Sequence, residues 1–286
     1  MHARVAYAGA IHHATPAREE TPGREHAPGR EEAPGREGAP GREGALGREG
    51  ALGRERLRLA DGRIVAAADV VWLPPFQVGT VIALGLNYAD HAKELAFQQQ
   101  EEPLVFLKGP GTLLGHRGET RRPAGVKFMH YECELAVIIG RSGKQVARSH
   151  ALQHVAGYCV ANDYAIRDYL ENWYRPNLRV KNRDGATVLG PWLVDAADVA
   201  DPASLSLRTF VNDQLTQQGN TRDLIFDIPF LIEYLSSFMT LAPGDVILTG
   251  TPEGVINVMP GDVVACEIDG LGRLINTIAA DDEFGR

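Results

Sequence analysis

Cysteine is scarce in this sequence, and no apolar run is long enough to cross a bilayer. The 3 cysteines, Cys133, Cys159 and Cys266, stand singly within apolar segments. An odd number without paired spacing argues against a disulfide framework or a zinc knuckle and favours buried thiols in a reducing compartment. The first residues form too short and too interrupted an apolar stretch for a signal peptide, so we expect a cytoplasmic protein that does not contact membranes.

Positive charge is also limited. The formal net charge is −8, and the arginines do not gather into a basic face with interleaved aromatic residues. This balance disfavours nucleic acid as a partner. Lysine is rare relative to arginine, which draws attention to Lys93, Lys108 and Lys181, because each of them falls within one of the motifs described below.

Residues 21–56 repeat with a period of six, as in Ala-Pro-Gly-Arg-Glu-Gly. Such a unit cannot build a core, because it has almost no large apolar side chains and its charges nearly cancel. We therefore expect a small N-terminal β region over residues 1–75, interrupted by a disordered repeat at about 17–56, and a larger domain over 76–286. An interaction segment is the alternative interpretation of the repeat.

From residue 71 onward, short apolar segments alternate with Gly, Pro and Asp. This pattern predicts strands near 81–84, 105–107, 135–139, 155–160, 207–211, 246–248 and 263–268. Two helices are expected, near 149–154 and 227–239. The absence of regular βα alternation argues against Rossmann and TIM-barrel folds and indicates a strand-dominated α+β chain.

The most informative feature is a pair of glutamates one residue apart. Glu132 and Glu134 begin a run that continues as Leu-Ala-Val-Ile-Ile, which is typical of a buried strand. Side chains two apart on a strand point to the same face, so both carboxylates would aim at one spot. Their repulsion is costly unless a proton or a cation lies between them. The alternative is that both lie on the solvent face of an edge strand.

A third carboxylate, Asp163, closes the apolar run Val-Ala-Gly-Tyr-Cys-Val-Ala-Asn-Asp. Strand ends commonly carry chemistry, so Asp163 could complete a three-oxygen site. Mg²⁺ prefers such oxygen ligands and keeps positions open for water or substrate. Zn²⁺ would call for His or Cys ligands, which this neighbourhood supplies only weakly.

Several motifs in a fixed order resemble the fumarylacetoacetate hydrolase superfamily over about residues 57–280. They are Gly85-Leu-Asn-Tyr-Ala-Asp-His-Ala-Lys-Glu94, Phe106-Leu-Lys-Gly-Pro110, the Glu132/Glu134 strand, Asn162-Asp-Tyr-Ala-Ile-Arg-Asp168, Lys181 with Gly190-Pro191, and Leu248-Thr-Gly-Thr-Pro-Glu-Gly254. The resemblance implies a mixed β-roll fold, a Mg²⁺ or Mn²⁺ cofactor on Glu132, Glu134 and Asp163, and a homodimer. The stretch from Asp163 to Lys181 is most similar to the branch that isomerises and decarboxylates intermediates of 4-hydroxyphenylacetate degradation.

The resemblance also implies roles for further residues. His91 and Glu94 would form a proton-transfer pair on a short helix that orders over substrate. Lys181 would reach the substrate oxygens as negative charge develops, and Arg167 could hold a substrate carboxylate bidentately. The weaker candidates for substrate binding are Lys108, Arg175, Arg179 and Thr251. Asn87 stands where some hydrolases of the superfamily have an aspartate, which weakens the expectation of C–C hydrolysis.

The expected activity is therefore Mg²⁺-dependent decarboxylation, double-bond isomerisation, or both, of 2-oxo or 2-hydroxydienoate di- or tricarboxylates. Specific expectations are 5-oxopent-3-ene-1,2,5-tricarboxylate decarboxylase and 2-hydroxyhepta-2,4-diene-1,7-dioate isomerase activities. Both reactions share an enolate-like intermediate, so one site could serve both. The alternatives are an acylpyruvate hydrolase or oxaloacetate decarboxylase on the same scaffold, and a binding protein without catalysis.

Overall fold

Strands account for most of the regular structure. The computed structural model describes residues 1–17, 55–90, 101–170 and 177–281. The first five strands are β1 (Ala3–Tyr7), β2 (Ala10–Pro16), β3 (Arg56–Leu59), β4 (Ile64–Ala66) and β5 (Val71–Leu73). They form one sheet in the order β4-β3-β2-β1-β5, whose inner face has its own apolar cluster around Leu57, Leu59 and Trp72.

The later strands form two larger sheets and a two-stranded ladder. In chain order they are β6 (Val81–Gly85), β7 (Leu104–Lys108), β8 (Leu113–Gly115), β9 (Glu119–Pro123), β10 (Met129–His130), β11 (Cys133–Ile139), β12 (Val155–Asp163), β13 (Ala165–Ile166), β14 (Thr187–Asp195), β15 (Ser206–Val211), β16 (Gln214–Asn220), β17 (Val246–Leu248), β18 (Val263–Ile268) and β19 (Gly272–Asp281). A seven-stranded sheet has the order β7-β6-β17-β11-β12-β14-β8, a five-stranded sheet the order β16-β15-β18-β19-β9, and β10 pairs with β13. Most pairs are antiparallel, but β17 with β6, β14 with β8 and β19 with β9 are parallel, so both larger sheets are mixed.

Helices are few among the described residues. They are α1 (Leu178–Lys181) and α2 (Ile228–Phe238), with 3₁₀ turns at Pro110–Thr112, Arg148–His154, Arg167–Tyr169, Ala196–Asp198 and Thr221–Asp223. Asp227 caps α2 by accepting a hydrogen bond from the Phe230 amide at 2.9 Å, and Pro229 occupies its first turn. None of the described helices has the length and apolarity needed to span a bilayer.

The central strand β11 separates two apolar clusters, because its side chains alternate between the two faces of the sheet. Leu135 and Val137 pack into the larger cluster with α2 and the five-stranded sheet, whereas Ala136 and Ile138 pack into a second cluster with Phe106. Glu132 and Glu134 alternate in step with Ala136 and Ile138, so their carboxylates lie on the same face of the sheet, at its end. The expected strand-dominated α+β class is confirmed.

Candidate metal centre

The pairing of β11 with β12 explains why three carboxylates converge. Glu134 lies opposite Ala161, and one step further out the Asp163 amide donates to the Glu132 carbonyl at 2.9 Å. Residues opposite each other on neighbouring strands share a face, and so do residues two apart on one strand. One oxygen from each of Glu132, Glu134 and Asp163 therefore lies within 4.8 Å of the others, and all three residues are buried.

One oxygen of this cluster has no hydrogen-bond partner among the described residues. Glu134 Oε2 accepts a hydrogen bond from the Gly250 amide at 2.6 Å, whereas Glu134 Oε1 is buried and no described group donates to it. Burial raises the pKa of Glu134, and the charges of Asp163 and Glu132 raise it further. A buried oxygen without a partner beside two further carboxylates suits a hard divalent cation. Neither His nor Cys joins the carboxylates as a potential ligand within the described chain, so the donor set does not suit zinc.

Two buried lysines border the carboxylates. Lys181 Nζ lies 2.5 Å from Glu132 Oε2 and 3.0 Å from Asp163 Oδ2, and Lys108 Nζ contacts Asp163 Oδ1. Burial alone would lower the pKa of Lys181, but Asp163, Glu132 and Glu134 together raise that pKa above its ordinary value. Burial lowers the pKa of Lys108, which Asp163 only partly offsets. Lys108, predicted from sequence to reach a distal substrate carboxylate, thus lies against the carboxylate cluster itself.

Arg167 and His130 form the rim of the cluster. The Tyr131 carbonyl lies 3.0 Å from His130 Nδ1, which leaves His130 Nε2 to accept from Arg167 Nε at 2.7 Å. Burial lowers the pKa of His130 to about 3, so the ring is neutral near pH 7. Arg167 Nη2 is 3.7 Å from Glu132 Oε1, and the side chain is 23% exposed. The guanidinium therefore combines a fixed position with access from solvent.

The other predicted substrate-binding residues lie in different surroundings. Thr251 is buried, and its hydroxyl accepts from Gln217 Nε2 at 2.9 Å. Arg179 is exposed, with its guanidinium 4.0 Å above the centre of the Tyr169 ring. His91, Glu94 and Arg175 lie outside the described residues.

His130 was not among the residues predicted from sequence. It stands two positions before Glu132, so the period of two that relates Glu132 to Glu134 would have indicated it. The Gly250 amide could not have been found in this way, because Gly250 approaches Glu134 from more than one hundred residues along the chain.

A sequence profile of the fumarylacetoacetate hydrolase C-terminal domain matches residues 80–279. The chain belongs to the fumarylacetoacetate hydrolase family. The matched region includes the three carboxylates, both buried lysines and Arg167, which confirms the resemblance predicted from the motifs.

Known relatives agree with this assignment. The chain is 60% identical over 209 residues to the 4-hydroxyphenylacetate degradation bifunctional isomerase/decarboxylase of Salmonella dublin, an alignment that covers 73% of this chain and 49% of the relative. The chain thus spans about half the length of that family member.

Two solved structures align with this chain over most of their own length. A 5-carboxymethyl-2-hydroxymuconate delta-isomerase from Mycobacterium smegmatis is 32% identical, with a TM-score of 0.75 and 99% of each chain covered. Fumarylpyruvate hydrolase from Pseudomonas aeruginosa, in complex with Mn²⁺ and pyruvate, is 33% identical, with a TM-score of 0.68, 72% of this chain and 91% of that chain covered. Members of the family therefore bind a divalent metal, and the acidic triad of this chain could hold one.

Proposed function

We propose that this protein decarboxylates or isomerises 2-oxo or 2-hydroxydienoate di- or tricarboxylates with a divalent metal, as in 4-hydroxyphenylacetate degradation. The observation that carries the proposal is the buried triad of Glu132, Glu134 and Asp163, which has two buried lysines beside it and one Glu134 oxygen without a hydrogen-bond partner in the described part of the chain. Its relative from Salmonella dublin supports the reaction class. Mg²⁺ is the proposed metal, with Mn²⁺ as an alternative.

A bound divalent cation would supply a Lewis acid for the carboxylate and 2-oxo oxygens of the substrate. The Lys181 ammonium, held against Glu132 and Asp163, would add positive charge where an enolate oxygen develops. Arg167 would hold a substrate carboxylate at the rim, because His130 fixes its Nε and the side chain, which lies beside Glu132, is 23% exposed.

Both reactions then require proton transfer at carbon. In decarboxylation the electron pair left by CO₂ is taken up as an enolate, and a proton is added to carbon. In isomerisation one carbon loses a proton and another gains one, so the double bond moves without net change in composition. We assign these transfers to His91 with Glu94, since a carboxylate beside an imidazole raises its basicity.

The closest competing function is hydrolysis of an acylpyruvate, which the likeness to fumarylpyruvate hydrolase favours. It differs in its products, because hydrolysis splits a C–C bond and releases pyruvate without CO₂. Oxaloacetate decarboxylation would release CO₂ from a smaller dicarboxylate. A binding protein would turn over none of these compounds.

A substrate panel separates these functions. Metal-stripped protein would be incubated with 5-oxopent-3-ene-1,2,5-tricarboxylate, 2-hydroxyhepta-2,4-diene-1,7-dioate, fumarylpyruvate and oxaloacetate, each with Mg²⁺ or with a chelator. We expect CO₂ release from the first compound, or an ultraviolet shift alone with the second, and only with Mg²⁺. The Asp163→Asn variant should be inactive. Full turnover in the presence of chelator would refute the proposal, and pyruvate formation from fumarylpyruvate alone would identify a hydrolase.

We also propose that the protein works as a cytoplasmic homodimer. All three cysteines are free and buried, which suits a reducing compartment. Large apolar side chains remain exposed, among them Leu107 at 57% and Leu178 at 63%, and a second copy could cover them. Light scattering on the purified protein should give twice the 31.1 kDa chain mass, whereas a monomeric mass would refute the dimer.

A further inference from the structure

Asn87 is buried, and both N–H groups of its side-chain amide donate hydrogen bonds. Its Nδ2 donates to the Thr249 carbonyl at 2.8 Å and to the Phe226 carbonyl at 3.1 Å, and its Oδ1 accepts from the Phe226 amide at 2.8 Å. Aspartate has the same shape but cannot donate when ionised, so it would place negative oxygen against two carbonyls. The amide at this position therefore makes hydrogen bonds that the aspartate of other superfamily members could not make.

The Thr249 carbonyl belongs to the same peptide group as the Gly250 amide. That amide donates to Glu134 Oε2 at 2.6 Å. A trans peptide is planar, and its C=O and N–H point in opposite directions, so a hydrogen bond on one end orients the other. Asn87 therefore holds one end of a rigid unit whose other end holds Glu134.

The packing around this peptide leaves little freedom. Gly250 has φ +92°, and a Cβ on Gly250 would lie 3.0 Å from Asn87 Cβ. The Thr249 hydroxyl also donates to the Leu135 carbonyl at 3.0 Å, which ties the same turn to the strand that carries Glu134. The peptide is thus confined between Asn87 and β11.

We propose that Asn87 is a positioning residue for the metal centre: through the 249–250 peptide it directs Glu134 Oε2 to the protein and Glu134 Oε1 to the cation. The inference rests on the proposed use of a metal. Partners of metal ligands commonly change metal affinity by 10- to 100-fold when they are replaced.

The test is a Mn²⁺ titration of the metal-stripped full chain, with free Mn²⁺ read by electron paramagnetic resonance. We expect Asn87→Asp and Asn87→Ser to raise the dissociation constant at least tenfold. Ile268→Val is the control, because it removes a methylene from a buried site on β18 and should lower the melting temperature without changing Mn²⁺ affinity. The control separates positioning from general loss of stability.

The outcomes distinguish this inference from the proposed function. If the wild-type chain binds Mn²⁺ and both Asn87 variants bind it within twofold of wild type, the positioning role is wrong and the proposed function stands. If the wild-type chain binds no Mn²⁺, both are wrong. Should Asn87→Asp not fold, Asn87→Ser decides. Hydrogen exchange at the Gly250 amide is expected to be at least tenfold faster in Asn87→Ser, and unchanged exchange would overturn the inference.

Discussion

Glu134, a proposed metal ligand, carries a cost to stability. Its carboxylate is buried, and burial together with Asp163 and Glu132 raises its pKa, so the ionised form is disfavoured in the metal-free protein. Because the folded-state pKa lies above the unfolded value, the metal-free protein loses stability as pH rises through that interval. A bound cation would reverse this penalty by favouring the ionised form.

Glu134→Gln should therefore stabilise the metal-free protein while it weakens metal binding. The amide keeps an acceptor for Gly250 but removes the buried charge, so we expect the free energy of unfolding at pH 8 to rise by about 1 kcal/mol, the scale on which burial of one polar group is penalised. Mn²⁺ affinity should fall at least a hundredfold. Urea unfolding and Mn²⁺ titration measure the two effects. Glu119→Gln, at an exposed position, should change neither, and Mn²⁺ affinity retained in Glu134→Gln would remove Glu134 from the ligand set.

Arg167 offers a test of substrate binding. Lysine cannot donate both to His130 Nε2 and bidentately to a carboxylate, so Arg167→Lys should raise KM for a dicarboxylate about tenfold or more, with a smaller change in kcat. Arg58→Lys is the matched control, since Arg58 is exposed on β3 in the N-terminal sheet and should leave KM within twofold. Equal effects of both substitutions on KM would contradict a specific role for Arg167.

At the residue scale, local patterns predicted what lies along one strand. The period of two placed Glu132 and Glu134 on one face, and the structure shows both buried there. Contacts between segments far apart in the sequence could not be predicted from such local patterns. The 249–250 peptide lies against Glu134 because β17 pairs with β11. No local pattern in either segment predicts that pairing.

Among the elements, long periodic segments were predicted better than short ones. All seven predicted strand segments fall on strands, and the helix expected at 227–239 is α2, with Asp227 as its cap. The segment near 149–154 is a 3₁₀ turn rather than an α-helix. The four-residue helix α1, which carries Lys181, was not predicted, because one turn is too short to show an apolar period.

The junction between the N-terminal sheet and the seven-stranded sheet contains a buried histidine. His116 directly follows β8, its ring centre is 4.8 Å from that of Trp72 on β5, and its Nδ1 accepts from the Ile275 amide at 3.1 Å. Burial lowers the pKa of His116 to about 3, and Arg117 adds to the shift. The ring must therefore stay neutral for the two sheets to pack as they do.

Stability should consequently fall as the solution is acidified. The unfolded chain binds a proton near the ordinary histidine pKa of about 6.5, whereas folded His116 does not until about pH 3. The contribution of His116 is complete above pH 6.5, and about 2 kcal/mol of it is lost by pH 5. Urea unfolding at several pH values should show a shallower fall in His116→Gln. His150→Asn, at an exposed site, should keep the wild-type slope; an unchanged slope in His116→Gln would count against this assignment.

On the scale of the whole molecule, the strand order departs from chain order. In the seven-stranded sheet β17 lies between β6 and β11, and β8 pairs in parallel with β14. The apolar pattern of a single strand predicts which of its faces is buried but not which strands lie beside it, because pairing depends on register and packing across the entire sheet. The family resemblance therefore predicted this architecture, whereas the apolar patterns predicted only its class.

The six-residue repeat enters and leaves the N-terminal sheet at adjacent points. Pro16 on β2 lies opposite Leu57 on β3, and the Ala17 amide donates to the Arg56 carbonyl at 2.9 Å. Residues 18–54, which contain most of the repeat, lie outside the described residues. Two neighbouring antiparallel strands can be joined by a two-residue turn, so the sheet itself does not need the intervening residues.

Replacement of residues 18–54 by Asn-Gly should therefore leave the fold and the proposed activity intact. The shorter loop costs less closure entropy, an effect that grows only logarithmically with length, so we expect a melting temperature within a few degrees of wild type or slightly above it. Metal-dependent turnover should stay within twofold. A matched control replaces residues 18–54 with a Gly/Ser linker of equal length. If turnover collapses in the Asn-Gly variant but not in the linker variant, the spacing matters; if it collapses in both, the repeat sequence itself supports activity and is not a passive connection.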